Sequence, residues 1–125
     1  LAKIKSTYLY YTPAIVWGIL IFYFSLMPGG EVPDLLKSIQ GFFIHMAIYF
    51  LLALLIICGA SQFTLSKVGT SIFTFTLLII LVMGGILEPI QELYIPNRVG
   101  ELEDVIANML GGVIAVFLWR TLVKN

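Results

Sequence analysis

Charge is what this chain lacks most. Charged residues make up 11% of its 125 residues, against about 25% in a typical soluble domain. A water-facing globule of this length has no other source of polar surface, so that class is excluded. The formal net charge is zero, which removes the electrostatic case for nucleic acid as a partner. Cys58 is the only cysteine; it cannot form an internal disulfide, and its place in an apolar run reads as a buried free thiol. His45 is the only histidine. No H-E-x-x-H or similar tight ligand spacing surrounds it, so the expectation is no metal and no cofactor. A metal held jointly by His45, Glu88 and Asp104 is a minor alternative. Internal repeats and low-complexity tracts are also missing.

What is present is apolar: 60% of residues are hydrophobic and the mean hydropathy is +1.03. A membrane-spanning helix needs roughly 20 mainly apolar residues. Four such blocks fill the chain, predicting helices at about 8–27, 42–60, 70–94 and 104–122. The first lacks a small-residue cleavage site and reads as a retained helix. The third stays apolar to Leu87 and is predicted to run past Pro89 to Tyr94, because a proline bends a membrane helix without having to end it. Pro28-Gly29-Gly30 stops the first helix, and Asp34 caps a short interfacial helix carrying Leu35, Leu36 and Ile39. The connection at Ser61–Lys67 reads as short and plain. The expected architecture is all-α, a single integral membrane four-helix bundle.

The few charges are sorted. Glu31, Asp34, Glu88, Glu92, Glu101, Glu103 and Asp104, the whole set of carboxylates, fall in the two connections on one side. Lys3, Lys5, Lys67, Arg120 and Lys124 fall on the other side, and only Lys37 and Arg98 share the acidic one. The positive-inside rule then places both termini in the cytoplasm. Tyr8, Tyr10, Tyr11 and Trp119 read as an inner aromatic belt, with Tyr23 and Tyr94 at the outer interface.

Ionisable groups within a membrane are expensive and default to functional candidates. Here they gather at one depth, the outer third. His45 and Tyr49 share a face near the start of the second helix, and Glu88 stands over Gln91 and Glu92 at the end of the third. Asp104 and Asn108 share a face at the start of the fourth, and Arg98 lies in the turn between. Each also has a structural reading. His45 and Tyr49 can make an interhelical hydrogen bond, worth about 0.6 kcal/mol in membranes. Glu88 can pair with Arg98, whose five donors suit a bidentate carboxylate. Asp104 reads first as the N-cap of the fourth helix. Gly111, Gly112 and Ala115 form a small-residue strip for close packing, with Gly84-Gly85 as its facing surface.

These residues carry a family resemblance. Phe24-Ser25-Leu26-Met27-Pro28 is similar to an FSxxP motif, His45-x3-Tyr49 to HxxxY, and Glu88-x2-Gln91 to ExxQ. Pro96-x-Arg98 and Asp104-x3-Asn108-x2-Gly111 follow in matching order as PxR and DxxxNxxG. The chain thus resembles the VanZ-like family, named after an accessory protein of bacterial resistance to the glycopeptide teicoplanin. Phe42 stands where that family often has a lysine. The resemblance implies one VanZ-like transmembrane domain over residues 1–125, in the bacterial inner membrane.

Three functions follow as expectations. One is a protein that binds or modulates a cell-envelope lipid or lipid-linked precursor at the outer leaflet, through His45, Tyr49, Glu88, Gln91, Arg98, Asp104 and Asn108. Another is an enzyme acting on a lipid phosphate, with Glu88 and His45 as acid and base and Arg98 on the phosphate. The third is a structural subunit that joins other membrane-protein partners, its polar groups serving as internal glue.

Overall fold

The computed structural model describes residues 7–27, 41–95 and 102–123. The short helix expected at Asp34, together with Lys37 and Arg98, lies outside them. The described residues are helical and include no strand. Four helices follow in order: α1 (Thr12–Ser25), α2 (Gly41–Ala60), α3 (Thr70–Tyr94) and α4 (Leu102–Leu122). Three of them, α2, α3 and α4, are long and apolar enough to cross a membrane, which marks a membrane protein. Large apolar side chains stand exposed on every helix, including Ile19, Phe75 and Phe117. Hydrocarbon is the solvent that suits such a surface.

The first helix departs from expectation. A single block over 8–27 was expected, but α1 spans 14 residues, about 21 Å of rise. Pro13 lies in its first turn, where a missing N–H costs nothing. Residues 7–9 form a separate helical turn ahead of it, closed by the Tyr11 N–H on the Tyr8 carbonyl at 3.0 Å. By contrast α3 runs unbroken through Pro89 to Tyr94. Its 25 residues rise about 37 Å, more than the roughly 30 Å hydrocarbon core.

Successive helices alternate in direction, so their ends form two groups. At one end, called the acidic end, the Gln91 side chain reaches the Ser25 carbonyl and Asp104 lies beside Gly41. At the other, the basic end, Tyr11 packs on Gly59 and the Trp119 indole reaches Ser66. Trp119 lies at this end as expected but is buried, with its Nε1 donating to the Ser66 carbonyl at 3.2 Å. The connection there is not plain either: Gln62 and Phe63 adopt φ of 56° and 58°, left-handed values unusual for residues with a side chain. The Phe63 N–H closes that turn on the Cys58 carbonyl at 2.8 Å, and Ser61 Oγ donates to the same oxygen at 3.0 Å.

α2 and α4 make the most extensive contact, followed by α3 with α4, while α1 rests mainly on α2. Glycine explains the first pair. A Cβ on Gly111 would collide with the Met46 carbonyl oxygen and stand 2.8 Å from the Phe50 nitrogen. Only a residue without a side chain lets the two backbones meet. Gly112 serves a different helix, since a Cβ there would meet Ile80 Cδ1 at 2.7 Å. The expected facing of two glycine strips is not what forms. Gly84 faces Asn108, and Gly85 faces open space. The core between these contacts holds Leu52, Ala53, Ile56, Ile80 and Ala115.

Candidate functional site

Four elements deliver polar groups to the acidic end, and helix direction determines how they meet. In any helix the Cα–Cβ bonds tilt toward the N terminus. Because α2 and α4 start at the acidic end, His45 and Asp104 both lean toward it. Their side chains meet there, His45 Nε2 lying 3.5 Å from Asp104 Oδ2. α3 ends at that side, so Glu88 leans back toward its own middle and comes under the pair. One ligand atom from each of His45, Glu88 and Asp104 lies within 4.8 Å of the others.

All three are shielded from the surroundings. Glu88 is 9% exposed, and the side chains of His45 and Asp104 are 24% and 15% exposed. Glu92 and Glu103, close in sequence to these residues, are exposed instead. Tyr49 lies one turn below His45, is 3% exposed, and sits within electrostatic reach of the Glu88 carboxylate.

Asp104 was expected as an N-cap, but α4 already begins at Leu102. The carboxylate therefore belongs to the first helical turn and is turned across to α2. Asn108, one turn on, is 2% exposed, and its Oδ1 has no hydrogen-bond partner. Its Nδ2 lies where a Cβ on Gly84 would come within 2.9 Å. The amide is thus wedged between α4 and α3, about one turn deeper than Asp104 and Glu88.

A half-open cleft of about 370 Å³ adjoins this group between α1 and α2. Its walls are apolar over most of their length, with Trp17, Ile21, Phe24 and Ile48 among them. Its acidic end is polar, lined by Ser25, His45, Tyr49 and Gln91. From Trp17 to Ser25 it runs two helical turns, about 12 Å along α1. At its deeper end Trp17 Nε1 donates to the Ile48 carbonyl at 3.0 Å. At its polar end Gln91 Nε2 donates to the Ser25 carbonyl at 2.9 Å. The second bond occupies an acceptor that the last turn of α1 leaves open.

Of the residues singled out in the sequence, His45, Glu88 and Asp104 come together. Tyr49 and Gln91 line the adjoining cleft, and Asn108 lies beneath. Arg98 is outside the described residues. The sequence reading missed Trp17 and named Ser25 only within a motif at the close of the first helix, and so missed the cleft. Their signal was present: Trp17, Ile21 and Ser25 recur every four residues on one helical face. A surrounding helix that is apolar all round concealed it.

Chemically, an imidazole and two carboxylates in a shielded place can exchange a proton, pair with a cationic group or hold a metal ion. No protein-family model matches the chain, and no curated protein or solved structure matches it either.

Proposed function

We propose that this chain is a VanZ-like protein of the bacterial inner membrane, a four-helix bundle with both termini in the cytoplasm. In this reading it binds or modulates a cell-envelope lipid, or a lipid-linked precursor, at the outer leaflet. The observation that carries the proposal is the cleft between α1 and α2, apolar along its walls and polar at the acidic end. An amphiphile has the same division, an apolar chain joined to a polar head. A volume of about 370 Å³ falls in the range of roughly 300–1,000 Å³ that accommodates small ligands. It suits a chain segment and part of a headgroup, with the rest of the lipid in the bilayer. Charge sorting supplies the orientation: Lys67 and Arg120, the cations among the described residues, lie at the opposite end, and the sequence assigns Lys3, Lys5 and Lys124 to the same side. The Asp104 and Glu88 carboxylates beside His45, at the polar end of the cleft, favour a cationic or zwitterionic headgroup, or a phosphate accompanied by a divalent ion.

A second reading has its own support. The Gln91–Ser25 bond and the His45–Asp104 contact join two helix pairs, α1 with α3 and α2 with α4, as internal glue would in a structural subunit. Glu88→Gln separates the two when accumulation and ligand are followed together. For a site, the variant accumulates at the wild-type level and co-purifies with less bound lipid, measured by native mass spectrometry. If it fails to accumulate while Glu92→Gln, at an exposed position, accumulates normally, the glue reading prevails. Reporter fusions at the C terminus test the orientation independently: activity of a reporter that works only outside the cytoplasm would refute it. Turnover of a purified lipid phosphate would move the assignment to an enzyme.

A further inference from the structure

We infer that His45, Glu88 and Asp104 form a binding site for one divalent cation of the zinc or manganese class. Three different helices supply the ligands, which is why no short spacing in the sequence announces them. The ligand atoms lie within 4.8 Å of one another, with the His45–Asp104 pair at 3.5 Å. Around a tetrahedral zinc with bonds of about 2.0–2.2 Å, neighbouring donor atoms stand about 3.3–3.6 Å apart. One pair therefore already has the required separation, and a Glu88 carboxylate oxygen stands within 4.8 Å of both. Glu88 has a further interaction of its own. A carboxylate offers two oxygens and about four acceptor positions, so one oxygen can take a cation while the other keeps its partner.

Asn108 supplies an independent indication. Its side chain is 2% exposed and its Oδ1 is unpartnered, which is costly for a buried amide. Asn108 follows Asp104 by one turn on the same face of α4, and its amide reaches Gly84, one turn before Glu88 on α3, so the amide lies about one turn beneath the group. A hard oxygen there is suited to a bound cation, directly or through one of the cation's waters.

The donor set selects the metal. Imidazole suits zinc and other transition ions, while carboxylate and amide oxygens suit manganese, magnesium and calcium. One nitrogen among oxygens points to zinc or manganese over magnesium. Cys58, the one soft ligand, lies near the far end of α2 and takes no part. His45 also lines the cleft, so the site adjoins it. The cation site does not depend on what the cleft holds.

The test is uptake of Zn²⁺ and Mn²⁺ by the purified full chain in detergent, stripped of metal and titrated calorimetrically. One saturable site per chain is expected. His45→Gln and Asp104→Asn should each weaken it by at least the roughly 10–100-fold seen for outer-shell partners. Glu103→Gln removes the same unit of charge from an exposed neighbour and should leave affinity unchanged. X-ray absorption of the zinc-loaded wild type needs no variant. It should show one imidazole among oxygen donors and no sulfur. No saturable uptake, a sulfur ligand, or equal loss in Glu103→Gln and Asp104→Asn would overturn the assignment.

Discussion

Gly111→Ala is the most direct probe of the α2–α4 contact. The added methyl would press on the Met46 carbonyl oxygen while standing 2.8 Å from the Phe50 nitrogen and 3.2 Å from the Met46 carbonyl carbon. Comfortable contacts of this kind are about 3.5–4.0 Å. All three obstructing atoms are backbone, so no rotamer change relieves them and the helices must separate. Overpacking of this sort costs about 1–3 kcal/mol, and the upper part applies here. Gly85→Ala is the matched control. Nothing lies within 4 Å of its would-be Cβ, and alanine in place of a helical glycine gains about 0.5–1 kcal/mol. Gly84→Ala should fall between, because the obstructing Asn108 Nδ2 at 2.9 Å is the end of a side chain.

The two extreme variants should therefore differ by about 2–4 kcal/mol. Unfolding in mixed micelles, followed by helical circular dichroism, measures the difference. The separation should also reach the polar group. Met46 adjoins His45, and Gly111 lies two turns from Asp104, so prying α2 from α4 lengthens the 3.5 Å His45–Asp104 contact. A Gly111→Ala variant as stable as Gly85→Ala would show that the backbones are not in contact and refute the packing argument.

Two further substitutions address the other connections. Gln91→Leu leaves the Ser25 carbonyl without its side-chain donor, costing about 1–3 kcal/mol if the oxygen stays buried. Because α1 rests mainly on α2, the loss should appear as faster amide exchange across Thr12–Ser25 than in wild type; unchanged exchange there would count against it. Trp119→Phe keeps the aromatic packing but removes the 3.2 Å bond to the Ser66 carbonyl, worth about 0.5–1.5 kcal/mol. A lowered midpoint is expected, and an unchanged one would mean the bond adds no stability.

Much of the helical layout could be read in advance because hydropathy and length are local properties. Gly41–Ala60 and Thr70–Tyr94 fall within a residue of the expected bounds, and Pro89 behaves as expected within α3. The misses involve competition between neighbours. Pro13 sets the start of α1 although the apolar run begins earlier. Gln62 and Phe63 take left-handed backbone that their side chains disfavour, because the turn closes on the Cys58 carbonyl. Which glycine faces which helix depends on relative rotation. In helices apolar on every face, periodicity does not carry that information.

The site shows the same division between what is local and what is shared. Spacing alone places His45 over Tyr49, Glu88 over Gln91 and Asp104 over Asn108. Whether the three pairs meet depends on which way each helix runs. With α2 and α4 starting at the end where α3 finishes, side chains near their termini lean in opposite senses along the bundle axis. His45 and Asp104 lean outward and Glu88 leans inward, so residues at different heights along their helices converge at one level. Reversing one helix in place would carry its carboxylate or imidazole toward the basic end, several turns from the other two. The alternating order, enforced by the short connection between Ala60 and Thr70, is therefore what turns three separate pairs into one chemical group. The glycine at 111 then holds two of its three members within reach of each other.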